Sequence, residues 1–119
     1  MYTLYGSEGS GSAAVEAALD MAQLPYRIVD AACWAPGSAI EELERLNPLV
    51  QIPTLALPDG HVLTESAAIL IHLGLMHPDS RLLPTEPAAR AQCIRGLVFI
   101  AANCYAAVFA RHWDLGASG

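Results

Sequence analysis

Residues 47–57 read Asn-Pro-Leu-Val-Gln-Ile-Pro-Thr-Leu-Ala-Leu, and this stretch decides the fold. Pro48 lacks an amide donor and disfavours helix at the residue before it, so the preceding helical pattern should stop near Leu46. Pro53 opens the run 54–57, whose composition suits a short strand. Proline gives no amide to a ladder, so at the mouth of a strand it belongs to an edge or a special turn. Pro58-Asp59-Gly60 then forms a turn, because proline presets φ and Asp-Gly tolerates positive φ. Val62 and Leu63 supply the return strand. Thr64 stands before Glu65, Ser66 and the apolar run 67–73, which makes it the expected N-cap, with Glu65 favoured near the positive helix end. Residues 52–75 therefore read as proline turn, strand, hairpin, strand and helix.

Towards the N-terminus, residues 2–5 are rich in Tyr, Thr and Leu and read as a first strand. The loop 6–12, Gly-Ser-Glu-Gly-Ser-Gly-Ser, leads into 13–23, where Ala, Leu and Met recur at helical spacing without a breaker. A strand, a Ser/Gly loop and a helix start make a place for an anion or a developing thiolate. The loop taken alone reads more readily as a serine-capped turn. It is neither a Walker loop nor a dinucleotide fingerprint, since no Gly-Lys-Ser/Thr follows and the glycine spacing differs. Pro25 precedes a second strand at 26–30, and strand-helix-strand of this length implies parallel pairing with a right-handed crossover. Residues 31–37 form a loop holding Cys33, Trp34 and Pro36. Residues 38–46 read as a helix with Ile40, Leu43 and Leu46 on one face and Gly37 or Ser38 as its cap.

Towards the C-terminus, His77-Pro78-Asp79-Ser80 ends the third helix, and 79–87 is a connector containing proline and acid. Thr85 and Glu86 before Pro87 suit a helix start. Residues 88–111 then read as one long helix, with Ile94, Leu97, Val98, Ala101, Ala102, Tyr105 and Val108 on its apolar face. Residues 112–119 show no periodicity.

The 119 residues carry a net charge of −6, with six arginines and no lysine. That balance argues against a nucleic-acid surface, which needs clustered positive charge. Cys33, Cys93 and Cys104 form no C-x-x-C and no zinc spacing, which fits a reducing cytoplasm better than a disulfide scaffold. No signal peptide is seen at the N-terminus, and the apolar stretch 96–110 is too short for a membrane span. His61, His72, His77 and His112 share no ligand spacing beyond the five-residue step from His72 to His77, so no metal is expected.

The run 47–73, NPLVQIPTLALPDGHVLTESAAILIHL, resembles the glutathione-binding half of glutathione S-transferases. The resemblance extends from about residue 2 to about residue 84. It implies an α/β fold: a thioredoxin-like βαβ-α-ββα glutathione-binding domain at 1–78, a linker at 79–86, and at 87–119 the first helix of a truncated all-helical domain. It also implies a cis peptide bond before Pro53. Transferases of this type continue into several further helices, which supply the electrophile pocket and much of the dimer surface.

The implied activity is transfer of the glutathione thiolate to a small electrophile, as in detoxification, with glutathione as co-substrate and a homodimer as the assembly. The alternative is a non-catalytic glutathione-binding or protein-interaction module of the same fold. A glutaredoxin-like reductase is disfavoured, since no cysteine follows the first strand. The implied glutathione-binding residues are Gln51, Ile52, Pro53, Glu65 and Ser66. Ile52 would offer its backbone N–H and C=O to the cysteinyl part, Ser66 would bond the γ-glutamyl carboxylate, and Glu65 would accept from the γ-glutamyl ammonium. Gln51 stands near the glycyl end, and Val50 departs from the glycine frequent there. Relatives activate the thiol with a Tyr on the first strand or a Ser or Cys in the loop after it. Ser10, flanked by Gly9 and Gly11, is the first catalytic candidate and Tyr5 the second. Ser7 and Ser12 are further hydroxyls of the loop, Ser12 more naturally a cap.

A hydroxyl donating to sulfur stabilises the thiolate by about 1.5–3 kcal/mol, or about 1–2 pKa units. Ser10→Ala should therefore cut activity near neutral pH, leave glutathione affinity almost unchanged, and recover part of the rate at higher pH. A pH–rate profile beside calorimetry checks this. The same behaviour in Tyr5→Phe, and not in Ser10→Ala, would reverse the ranking.

Overall fold

A computed structural model describes residues 1–7, 11–31 and 39–104, with backbone alone at 103–104. The chain divides into two units, Met1–Leu83 and Pro84–Gly119. In the first, strands β1 (Tyr2–Gly6), β2 (Tyr26–Asp30), β3 (Thr54–Ala56) and β4 (Val62–Thr64) form one sheet in the order β2-β1-β3-β4. β1 and β2 are parallel across a helical crossover, as the strand-helix-strand pattern requires, and the β1–β3 and β3–β4 pairs are antiparallel. Helices α1 (Ser12–Met21), α2 (Ile40–Leu46) and α3 (Ser66–Met76) complete the unit, followed by a 3-10 turn at Pro78–Ser80.

Alternation along the strands sorts the helices into layers, since successive strand side chains point to opposite faces. Leu4 and its cross-strand partner Leu55 pack with Val15, Ala18 and Leu19 of α1 and with Ile69 and Leu73 of α3. Tyr5, one residue on, packs with Ala31 and with Leu43 of α2. The sheet therefore carries α1 and α3 on one face and α2 on the other. α1 ends in a Schellman-type closure: Leu24 N–H donates to Leu19 C=O, Gln23 N–H donates to Asp20 C=O, and Gln23 takes a φ of 56°.

Two expected helix caps are corrected. Thr64 is the last residue of β4, paired with Thr54, and Glu65 occupies the N-cap of α3. A ladder partner holds Thr64 extended, so the turn into the helix falls one residue later. Ser12 is the first residue of α1, after Gly11 at the N-cap. Its hydroxyl accepts from Ser7 N–H at 3.1 Å and donates to Ser7 C=O at 3.0 Å, tying the two ends of the β1–α1 loop together. Gly37 and Ser38 lie outside the described residues, and Ala39 holds the N-cap position of α2.

In the second unit, α4 (Pro87–Phe99) starts with Pro87 at its first position, after Glu86. The Glu86 carboxylate accepts from Ala88 and Ala89 N–H at 3.0 and 2.7 Å, which closes the helix start and lowers the carboxyl's pKa. The single long helix expected over 88–111 is followed only in part. A π-turn, Ile100–Cys104, succeeds α4, and Tyr105 and Val108 lie outside the described residues. Among the described residues no helix is long and apolar enough to cross a membrane.

Leu82 and Leu83, the last residues of the first unit, fold back on it: Leu82 packs against its core and Leu83 is buried against Gly74. Gly74 makes room for this: a Cβ there would stand 2.5 Å from Leu83 Cγ. Alanine is worth about 1 kcal/mol more than glycine inside a helix. Even so, Gly74→Ala should lower stability by about 1–3 kcal/mol, the usual cost of overpacking a core. Denaturant unfolding checks this, and trimming the neighbour in Gly74→Ala/Leu83→Ala should relieve the clash.

Candidate functional site

Sheet register brings the candidate residues to one end of the sheet. Tyr5 pairs with Thr54, and Thr54 pairs with Thr64. Gly6 at the end of β1, Ser7 after it, Pro53 before β3 and Glu65 after β4 therefore lie just beyond a single row. The start of α1 comes to the same place, for a Cβ on Gly11 would lie 3.8 Å from Pro53 Cδ. Neighbouring strands are about 4.8 Å apart, so the ends of β1 and β4 are separated by about 10 Å.

The turn between α2 and β3 is built on two buried polar residues, Asn47 and Thr54. Asn47 Nδ2 donates to Thr54 Oγ1 at 3.2 Å and to Gln51 C=O at 3.3 Å, while its Oδ1 accepts from Leu49 N–H at 3.1 Å. The Thr54 hydroxyl donates to Gln51 C=O at 2.7 Å. Buried polar groups are costly unless paired, and here each pays for the other's burial. This network holds Gln51 and Ile52 in place, and the Ile52–Pro53 peptide bond is cis. No hydrogen bond to the Ile52 backbone is seen among the described residues. Neither Asn47 nor Thr54 was singled out from the sequence. An Asn directly before Pro48 was the available signal, since Asn side chains close turns onto their own backbone.

Two residues of the site hold backbone angles that side chains rarely adopt. Val50 has a φ of 53°. Glycine is the residue suited to that φ, and a β-branched residue there is a true outlier. Glu65 has φ 69° and ψ 114° at the start of α3, and its side chain makes no cap hydrogen bond. The first N–H groups of α3 are thus left open by the N-cap residue, in contrast to α4, where Glu86 occupies them. Such a helix start favours an anion. Ser66 is the first residue of this helix and is half-buried, and Glu65 is exposed.

Of the thiol-activating candidates, Ser10 lies outside the described residues, between Ser7 and Gly11. Tyr5 is buried, with 3% exposure, and its hydroxyl donates to Glu42 Oε1 at 2.7 Å. Burial first, and then the bond to this carboxylate, raise the phenol's pKa above the ordinary tyrosine range. The Arg27 guanidinium is 3.9 Å from the same carboxylate oxygen, but both partners are well exposed, so that pair adds little.

Cys33, Trp34, Pro36 and His112 fall outside the described residues. Cys93 is a half-buried free thiol. His77 caps the C-terminus of α3, with its Nε2 2.8 Å from the Tyr2 hydroxyl, and exposed His61 lies 3.1 Å from Asp59. Among the described residues no group of three metal-ligating side chains forms.

The family model of the glutathione S-transferase N-terminal domain matches residues 12–75. The chain belongs to the glutathione S-transferase family. Among curated relatives, the uncharacterized GST-like protein YncG of Escherichia coli is 40% identical over 107 residues, covering 88% of this chain and 51% of that protein. A probable maleylacetoacetate isomerase of Caenorhabditis elegans is 35% identical over 91 residues, 76% of this chain and 41% of that one. Among solved structures, a glutathione transferase homologue from Sulfitobacter with bound glutathione superposes with a TM-score of 0.78 at 32% identity, over 90% of this chain and 51% of that one. A sphingomonad glutathione S-transferase complexed with glutathione gives 0.74 at 29%, over 83% and 50%. The chain spans about half the length, or less, of these relatives. The match confirms the thioredoxin-like α/β fold expected for the glutathione-binding half.

The outlying backbone angles give a direct test. A non-glycine residue held at such angles costs about 1–3 kcal/mol. Val50→Gly and Glu65→Gly should each hold or raise the unfolding midpoint, whereas Glu65→Ala, which keeps the strain, should not raise it. Thermal unfolding of the three variants checks this.

Proposed function

We propose that this chain binds glutathione at the end of the sheet described above and supplies its thiolate to a small electrophile. The observation that carries the reading is the pairing of an unpaired Ile52 backbone with the open start of α3 at Glu65 and Ser66. An extended tripeptide spans about 10 Å, the same as the distance between the ends of β1 and β4. Its cysteinyl N–H and C=O would pair with Ile52 as an added antiparallel strand. Its γ-glutamyl carboxylate would meet the Ser66 hydroxyl and N–H at the helix start, and its ammonium the Glu65 carboxylate. Gln51 would stand toward the glycyl end, and Pro53 would form the wall beside Gly11.

Ser10 is the hydroxyl proposed to donate to sulfur, because the Tyr5 hydroxyl is committed to Glu42. A free thiol has a pKa near 8.5. A donated hydrogen bond brings it toward neutrality, with the proton released to solvent. The thiolate sulfur then forms a bond to the electrophilic carbon, and the leaving group departs with its electron pair. A homodimer, a reducing cytoplasm and a role in detoxification belong to this proposal. The occupied Tyr5 hydroxyl also favours the alternative, a glutathione-binding or protein-interaction module without turnover.

Calorimetry with glutathione tests the reading. The unmodified chain should bind, and Ser66→Ala with Glu65→Ala should weaken binding by about ten-fold or more, one charge-assisted bond being worth about 1.5–3 kcal/mol. Equal affinity in the double variant would remove these residues from the site. Binding without turnover across a panel of electrophiles would select the module reading.

A further inference from the structure

The Tyr5–Glu42 bond has no part in the chemistry proposed above, yet it joins the sheet to the element that carries the glutathione turn. α2 has seven residues, too few to hold its own shape in water, and Leu43 is its one buried side chain. Its position therefore depends on its ties to the sheet. At its start, Ala39 N–H donates to Asp30 C=O at 2.8 Å. At its end, Asn47 donates to Thr54. Between these, Tyr5 of β1 reaches Glu42 in the first turn of α2 at 2.7 Å, through a charged acceptor that makes the bond about twice as strong as a neutral one. Half-buried Val50 and Ile52 pack against the cluster that holds the Tyr5 ring and Leu43, so the same contact zone touches the turn that offers its backbone to the ligand.

We propose that the Tyr5 hydroxyl and the Glu42 carboxylate form a clasp that fixes α2 and, through Asn47, places the 47–52 turn for glutathione. Both are then positioning residues of the site and stand outside its thiol chemistry. The proposal rests on the glutathione reading, and its test separates the two. Tyr5→Phe keeps the ring in the core. Glu42→Ala removes the acceptor from a partly exposed position, and Glu42→Gln keeps a neutral one. None of the three leaves a large cavity.

Three readouts apply to the full chain: glutathione calorimetry, amide exchange, and ultraviolet titration of the bound thiol. Tyr5→Phe and Glu42→Ala should each weaken glutathione binding on the order of ten-fold, Glu42→Gln less, and the double variant no more than either single. The N–H groups of Leu43, Asn47 and Val50, which donate to Ala39, Leu43 and Asn47 C=O, should exchange faster while those of Leu4 and Leu55 do not change. The bound thiol should titrate as in the unmodified chain. A raised thiol pKa in Tyr5→Phe alone would overturn the proposal and return Tyr5 to the chemistry. So would additive losses in the double variant, or unchanged exchange at the three amides. If the unmodified chain binds no glutathione, the proposed function fails, and the clasp's hold on the turn is decided by the exchange rates.

Discussion

The cross-strand row Tyr5–Thr54–Thr64 is the constraint on which the rest depends. β3 has only three residues, and a slip of one would send Leu55 away from α1 and α3 and turn Thr54 into their core. The Thr54 hydroxyl resists that slip, because only in this register does it face Asn47 and the Gln51 carbonyl. Hydrophobic and polar specificity thus agree on one alignment. That alignment also brings the end of β1, the proline before β3 and the helix start after β4 to one end of the sheet.

Much of this was legible in the sequence because it is local backbone chemistry. Pro48 and Pro53, Pro58-Asp59-Gly60 and the Glu65-Ser66 pair each restrict φ or supply a terminus within a few residues, and their order defines the hairpin and α3. The N-cap was misplaced by one residue because sequence does not say where Thr64 leaves the ladder. The departure of Val50 from glycine was visible, but its φ of 53° was not. The bond from Tyr5 to Glu42 joins residues 37 apart and leaves no periodic trace. The Asn47–Thr54 contact crosses a turn whose closure depends on the sheet. What the sequence hid were side-chain bonds that exist only once the layers have assembled.

The two helix starts at Glu65 and Glu86 show one residue type used in opposite ways. Glu86 has an extended backbone, and its carboxylate bends back to occupy the first amides of α4. Glu65 has a positive φ, and its side chain makes no such bond. The same carboxylate is a cap in one setting and an available charge in the other. The backbone before the helix decides which, so composition near a helix start is a poor guide to whether that start is open.

Gly6 closes β1 against Ser12, and a Cβ there would collide with the serine hydroxyl that ties the loop ends. In a mutational scan this position should retain glycine alone. Variation along this part of the chain is then confined to positions other than Gly6, because the end of the strand and the Ser12 hydroxyl leave room for no side chain there.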